Sequence, residues 1–403
     1  MASQYIFDPK IYHRGRPRSS HQVGGIEFRY NSAGFRDQER QRVKPKNVFR
    51  IALVGDSFVE GYECAFEFTI GPTLQRLLDT APEISADLRR AGFKAIEVIP
   101  FGLGGFCPSF YAPLLDAYCL GYAPDLVYVN VFSFNDVAGL IPFKERVAGG
   151  GYRTPFADYY SVRDGSLVLE RSMRDEYRRY LRLQAFRNAR PVRLLKRLAR
   201  LGYSKADVSP PDPWTAQYSG VLAKGLFTYF AAEPETLRAY DVCSAFLRRM
   251  VESAESAGSR LCVVHLANAD RLSLDVAERE VRAWRRHVER QSVHEYDDSI
   301  VDWSLPGSKL REASEKLKVP FLDLNDFILA ESPAPDWTEL FAHRVAGDSD
   351  SWIKWGHYTA EGNLRWAKML EQHLKTVLRE HLIRRRAQDA DADGYNPYLY
   401  PLY

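Results

Sequence analysis

Three apolar, β-branched runs, Phe49–Val54, Ala95–Pro100 and Leu126–Phe132, constrain the fold of this chain more than any other feature. Each is short, nearly uninterrupted and bounded by polar or turn residues. Runs of this kind suit strands covered on both faces, and therefore a parallel sheet. Helical patterns lie between them. Leu74, Leu77 and Leu78 recur at helical spacing, as do Leu114, Leu115, Tyr118 and Cys119. Farther on, Pro234 opens a stripe of Leu237, Tyr240, Cys243, Leu247, Met250 and Ala254, which Gly258 closes. Arg260–His265 and Val319–Leu322 read as two more buried strands, the second preceded by a helix around Lys309–Lys316. A last helix is predicted from about Ala360 to Arg379, with Leu364, Ala367, Leu370, Leu374 and Leu378 on one face. Strands alternating with helices predict an open parallel α/β sheet.

Residues 146–232 interrupt that rhythm, so the expected organisation is an N-terminal extension (1–27), a core in two pieces (28–145 and 233–380), an insertion (146–232) and a tail (381–403). Within the insertion, Asp164-Gly165 between Tyr159–Arg163 and Ser166–Leu169 is a two-residue hairpin signal. A basic, leucine-bearing segment, Pro191–Leu201, follows, and then the breaker Pro210-Pro211-Asp212-Pro213. The insertion is expected to act as a substrate cap. From Arg384 to Tyr403 no helical period is visible, and a flexible tail or arm is expected there.

A net charge of +3, from 55 basic and 52 acidic residues, gives no reason to expect a nucleic-acid partner. The five cysteines form no CxxC pair, so they are expected to be buried thiols rather than metal ligands, and no metal or other cofactor is implied. The first residues lack the apolar segment of a secretory signal, and no run approaches the ~18 apolar residues of a membrane span. A cytoplasmic protein with no membrane span is the expectation; the oligomeric state is open.

Gly55-Asp56-Ser57 follows directly on the first strand, and in open α/β sheets ligands bind beyond the carboxyl ends of strands. Asp56 and Ser57 equally suit the cap of the next helix. The second strand runs into Gly102-Leu103-Gly104-Gly105, whose backbone can approach a ligand closely. The third ends in Ser133-Phe134-Asn135-Asp136, where an amide can donate to an oxyanion without titrating. His357, just before the last helix, carries the side chain best suited to act as a serine's base near neutral pH. The other histidines, His265 among them, read as surface residues. No GxGxxG or GxxxxGK[ST] follows the first strand, which argues against a nucleotide-binding protein.

Taken in order, these blocks resemble those of the SGNH (GDSL-type) hydrolase family. Val54-Gly55-Asp56-Ser57-Phe58 with Gly61 is similar to its first block. Val98 through Phe106 is similar to its second, with Pro100 where an Asn is common, and Asn31-Ser32-Ala33-Gly34-Phe35-Arg36 to a lead-in of bacterial members. The last block matches through Gly356-His357 and Glu361-Gly362. The resemblance spans roughly 28–145 and 235–378. It implies a three-layer, flavodoxin-like esterase with Ser57 as nucleophile, His357 as base, and the N–H groups of Ser57 and Gly105 with the Asn135 amide around the oxyanion. Gly102 competes with Gly105 for that role. The implied substrate is an ester of a carbohydrate, lipid or small metabolite, hydrolysed or transferred. Two departures stand out. Ser133 occupies a position where Gly is common. Trp355 and Lys354 occupy the places where the family's acid is expected, leaving Asp350 and Asp348 as upstream candidates. A Ser–His dyad, or a catalytically degenerate member that binds a glycan or partner without turnover, is the alternative that this gap raises.

Overall fold

Apolar runs of this kind need cover on both faces, and in this computed structural model all five become strands of one parallel sheet. Residues 4–140, 158–172, 228–229, 234–273, 275–279, 301–345 and 353–392 are described, with the single positions 174, 175, 178 and 231. Two hairpins come first, β1 (Tyr5–Asp8) with β2 (Tyr12–Gly15) and β3 (Ser19–Val23) with β4 (Ile26–Tyr30). The sheet begins with β5 (Val48–Gly55), β6 (Ala95–Gly102) and β7 (Leu126–Val131). The hairpin of β8 (Tyr159–Arg163) and β9 (Ser166–Arg171) intervenes. The sheet then resumes with β10 (Arg260–His265) and β11 (Phe321–Asp323). A final antiparallel pair, β12 (Phe341–Val345) and β13 (Ile353–Tyr358), precedes the last helix.

Across the sheet the order is β6-β5-β7-β10-β11, which in chain order is 2-1-3-4-5. This is the flavodoxin-like winding, and its switch point lies between β5 and β7, where the chain has wound outward in both directions and a crevice opens at the carboxyl ends. Side chains alternate across the two faces as the pleat requires. Ala52, Val54, Val127 and Val129 join the core under the helices Pro108–Leu114, Pro234–Ser256 and Leu305–Leu317. Ile51, Leu53, Leu126 and Tyr128 join the other core, under Ile70–Thr80, Pro82–Arg90 and the last helix. The architecture is therefore three-layered.

The N-terminal hairpins are integral to this body, since Tyr5, Ile11, Tyr12, Phe28 and Tyr30 are buried in the first core. At the turn of the β8–β9 hairpin, Asp164 and Gly165 take φ of 50° and 73°, both positive as a type I′ turn demands. The rest of the inserted segment, including 191–201 and 210–213, lies outside the described residues. One expectation is corrected. The last helix runs from Ala360 to Ala392, well past Arg379 and into the segment expected to lack helical order. Its extension holds no Gly or Pro before Gly394, and its Leu, Arg, Gln and Ala are good helix formers even without an apolar stripe. Residues 393–403 are outside the described set. All five cysteines are free and buried, and no helix among the described residues is long and apolar enough to cross a membrane.

Candidate active site

Strand β5 delivers the chain to the switch point, and Asp56 turns it into a one-turn helix, Ser57–Glu60. The Asp56 Oδ1 accepts the Phe58 N–H at 2.9 Å, so the predicted cap is real and belongs to Asp56. Its other oxygen accepts the Asn135 amide at 3.0 Å. Burial pushes the Asp56 carboxyl above its ordinary range, opposed by those two donors. Ser57 is thus left as the first helical residue, with its hydroxyl free to face β13.

His357 arrives from the opposite end of the sequence, near the end of β13. Its Nε2 lies 2.7 Å from Ser57 Oγ. On the other side of the ring, Nδ1 faces Glu63 Oε2 at 3.3 Å, and the same oxygen accepts the His357 backbone N–H at 2.9 Å. With Nδ1 protonated toward the carboxylate, the Nε2 lone pair is directed at the serine hydroxyl. The rings of Phe58 and Tyr62 flank the imidazole, with centroids at 4.8 and 5.4 Å. Gly356 makes the close approach feasible, because a Cβ there would collide with Glu63 Oε2. Glu63 itself holds a left-handed backbone, φ 58°, a sparsely populated conformation for a residue with a side chain.

Glu63 is the site residue that sequence reasoning missed. The expected acid lies upstream of the histidine, whereas this one stands six residues after the serine. Asp348 and Asp350 lie outside the described residues, so the structure says nothing of them, and a carboxylate already meets Nδ1.

The glycine loop and the amide divide differently. A Cβ on Gly102 would fall 2.5 Å from the Val59 carbonyl carbon, so this glycine serves the close packing of β6 on the helix Ser57–Glu60. Gly105 is the second central residue of the turn Leu103–Phe106, closed by Phe106 N–H to Leu103 O at 3.2 Å, and its φ of +80° requires glycine. Asn135 spends one amide hydrogen on Asp56 and has a second to offer. Behind it, burial pushes the Asp136 carboxyl up. Its Oδ2 anchors the loop by accepting Phe132 N–H at 2.9 Å and Tyr111 O–H at 2.7 Å.

His265 is not a surface residue, which corrects the expectation. Its Nε2 meets Ser133 Oγ at 3.0 Å and its Nδ1 meets Asp323 Oδ2 at 2.9 Å. This repeats the connectivity of Ser57, His357 and Glu63, but the histidine side chain is 4% exposed against 25% for His357. The buried relay ties together the ends of β7, β10 and β11, which explains a serine at position 133: a glycine would leave the imidazole and the Asn268 amide, 3.3 Å away, without this oxygen. Although burial raises the Asp323 carboxyl, the charge and hydrogen bond of His265 with two donations from Asn325 outweigh it and bring it to about 2. A depressed carboxylate pKa contributes stability that is present above about pH 4 and lost as pH falls toward 2. Asp323→Asn is therefore expected to cost about 2 kcal/mol at pH 7 in urea unfolding, with the gap to the parent closing between pH 4 and 2. A gap constant over that range would refute the linkage.

Among the described residues no group of three or more metal-ligating side chains comes together. No family model matches the chain, and no curated protein does. Among solved structures, the chain is similar to the lipase/acylhydrolase from Enterococcus faecalis, at 11% identity over 81% of this chain and 96% of that one, with a TM-score of 0.35. It is similar to a GDSL-like lipase from Bacteroides thetaiotaomicron at 12% identity, over 81% and 88%, with a TM-score of 0.31. A variant of an acetyl-xylooligosaccharide esterase from Geobacillus gives 9% identity, over 82% and 95%, and 0.36. Overlaps this loose leave the chemistry to be judged from the site itself.

Proposed function

We propose that this chain is a serine ester hydrolase of the SGNH type, acting on an oxygen ester whose acyl group sits on a carbohydrate, lipid or small metabolite. The observation that carries the reading is the continuous path from Ser57 Oγ through the His357 ring to Glu63 Oε2, at 2.7 and 3.3 Å. In the reaction Ser57 Oγ attacks the ester carbonyl while its proton passes to His357 Nε2. The imidazolium then returns that proton to the departing alcohol. Water, deprotonated by the same nitrogen, splits the acyl-serine and releases the acid. Glu63 holds the ring in the required tautomer and balances its transient charge. The Ser57 and Gly105 N–H groups and the second Asn135 amide hydrogen stabilise the oxyanion, each donor contributing about 10²–10³ in rate. The Glu63 carboxylate facing Nδ1 supports hydrolysis over the non-catalytic binder raised by the lack of an acid beside the histidine. A role as substrate cap is proposed for the insertion at 146–232, of which only a part is described. Its described hairpin packs Tyr160 against Phe246 of the helix Pro234–Ser256, with ring centroids 5.0 Å apart.

A fluorophosphonate ester tests the reading directly. The folded parent protein is expected to gain one covalent phosphonyl group by intact-mass measurement, located on Ser57, and the Ser57→Ala variant none. A folded parent that stays unlabelled would rule the esterase out.

A further inference from the structure

The first hairpin reaches the glycine loop through His13. His13, on β2, places Nε2 3.1 Å from Gly104 O. A carbonyl oxygen can only accept, so Nε2 carries the hydrogen. The ring is wedged between Tyr5 and Phe106, at centroid distances of 4.6 and 4.8 Å. Gly104 is held at its other end too: its N–H donates to Glu60 Oε2 at 2.6 Å. That carboxylate is fixed by Tyr5 O–H at 2.6 Å and Tyr30 O–H at 2.7 Å, both from the N-terminal hairpins.

The gripped carbonyl belongs to the central peptide of the Leu103–Phe106 turn. With φ of +80° at its third residue this turn is type II. Types I and II differ by rotation of that one peptide plane, and a Gly-Gly pair is sterically free to take either. Rotation would reverse the Gly104 C=O and, with it, the Gly105 N–H. In the observed form the C=O points to His13 and the N–H points the opposite way.

We infer that His13 is a positioning residue: by holding Gly104 O it keeps the Gly104–Gly105 peptide in the orientation that presents the Gly105 N–H to the oxyanion. The N-terminal hairpin then belongs to the catalytic apparatus, although it touches no reacting atom. Burial brings the His13 pKa down to about 4, so the ring is neutral near pH 7 and has one hydrogen to give. This inference rests on the esterase reading above.

The test is hydrolysis of p-nitrophenyl acetate by the full chain. His13→Leu is expected to lower kcat about 10- to 100-fold, with KM within about twofold. His13→Gln, whose amide can still donate to a carbonyl, is expected to recover most of the loss. In a Gly105→Ala background, where φ of +80° is disfavoured, His13→Leu should add little further loss, because both act through one peptide. Unchanged kcat in His13→Leu, in a parent that hydrolyses the ester, overturns the positioning role alone. So does an equal loss in the Leu and Gln variants that follows their melting temperatures. A folded parent with neither turnover nor Ser57 labelling overturns both this role and the esterase reading.

Discussion

His357→Ala is expected to lower kcat for an activated ester by about 10⁴- to 10⁶-fold while leaving KM nearly unchanged. The expectation follows from geometry rather than from the residue's type. The only described base within hydrogen-bonding reach of Ser57 Oγ is His357 Nε2, at 2.7 Å. Without it the hydroxyl keeps its proton near neutral pH and is a poor nucleophile. Because serine and histidine act as a unit, Ser57→Ala with His357→Ala should be hardly worse than either alone. Initial-rate kinetics on the three variants decide the matter. A loss smaller than about tenfold in His357→Ala would mean that some other group removes the proton.

The second large effect is expected at Glu63. Glu63→Gln keeps an oxygen that can accept the His357 backbone N–H but removes the charge facing Nδ1. Where a serine protease loses the corresponding acid to an amide, the cost is about 10⁴ in kcat. Here the contact is longer and the carboxylate side chain is 39% exposed, so water shares its task. We expect a kcat lower by about 10²–10³, with KM little changed and the fold intact by circular dichroism. Glu63→Asp, one methylene shorter, should fall between. A Glu63→Gln variant with parental kcat would show that the ring needs no acid and would return the site to a Ser–His dyad.

The sheet was legible because burial on two faces imposes a pattern that a single strand carries by itself. Phe49–Val54 and Leu126–Phe132 announce their class without knowledge of their neighbours. Ser57 and Asn135 stand out as candidates through their places at strand ends, and His357 through its place before the last helix. Glu63 was not. As a residue it differs in nothing from Glu60 or Glu67, and its place beside His357 depends on where β13 passes, a long-range fact that no local pattern carries. His265 was misread for the same reason, since a histidine at a strand end is buried or exposed according to what packs over it. The long C-terminal helix was misjudged because periodicity reports an apolar face, whereas helix formation also follows from backbone propensity alone.

Glu63 shares a seven-residue stretch of backbone with Ser57, so two parts of the candidate relay are built on one corner and the third is brought by β13. An acid beside the histidine would travel with it. Here, if the β12–β13 ribbon lifts, the imidazole leaves hydroxyl and carboxylate together, and when the ribbon settles both contacts are restored in one movement. On the proposed reading, the contacts of the ring to Ser57 and to Glu63 both depend on where β13 lies.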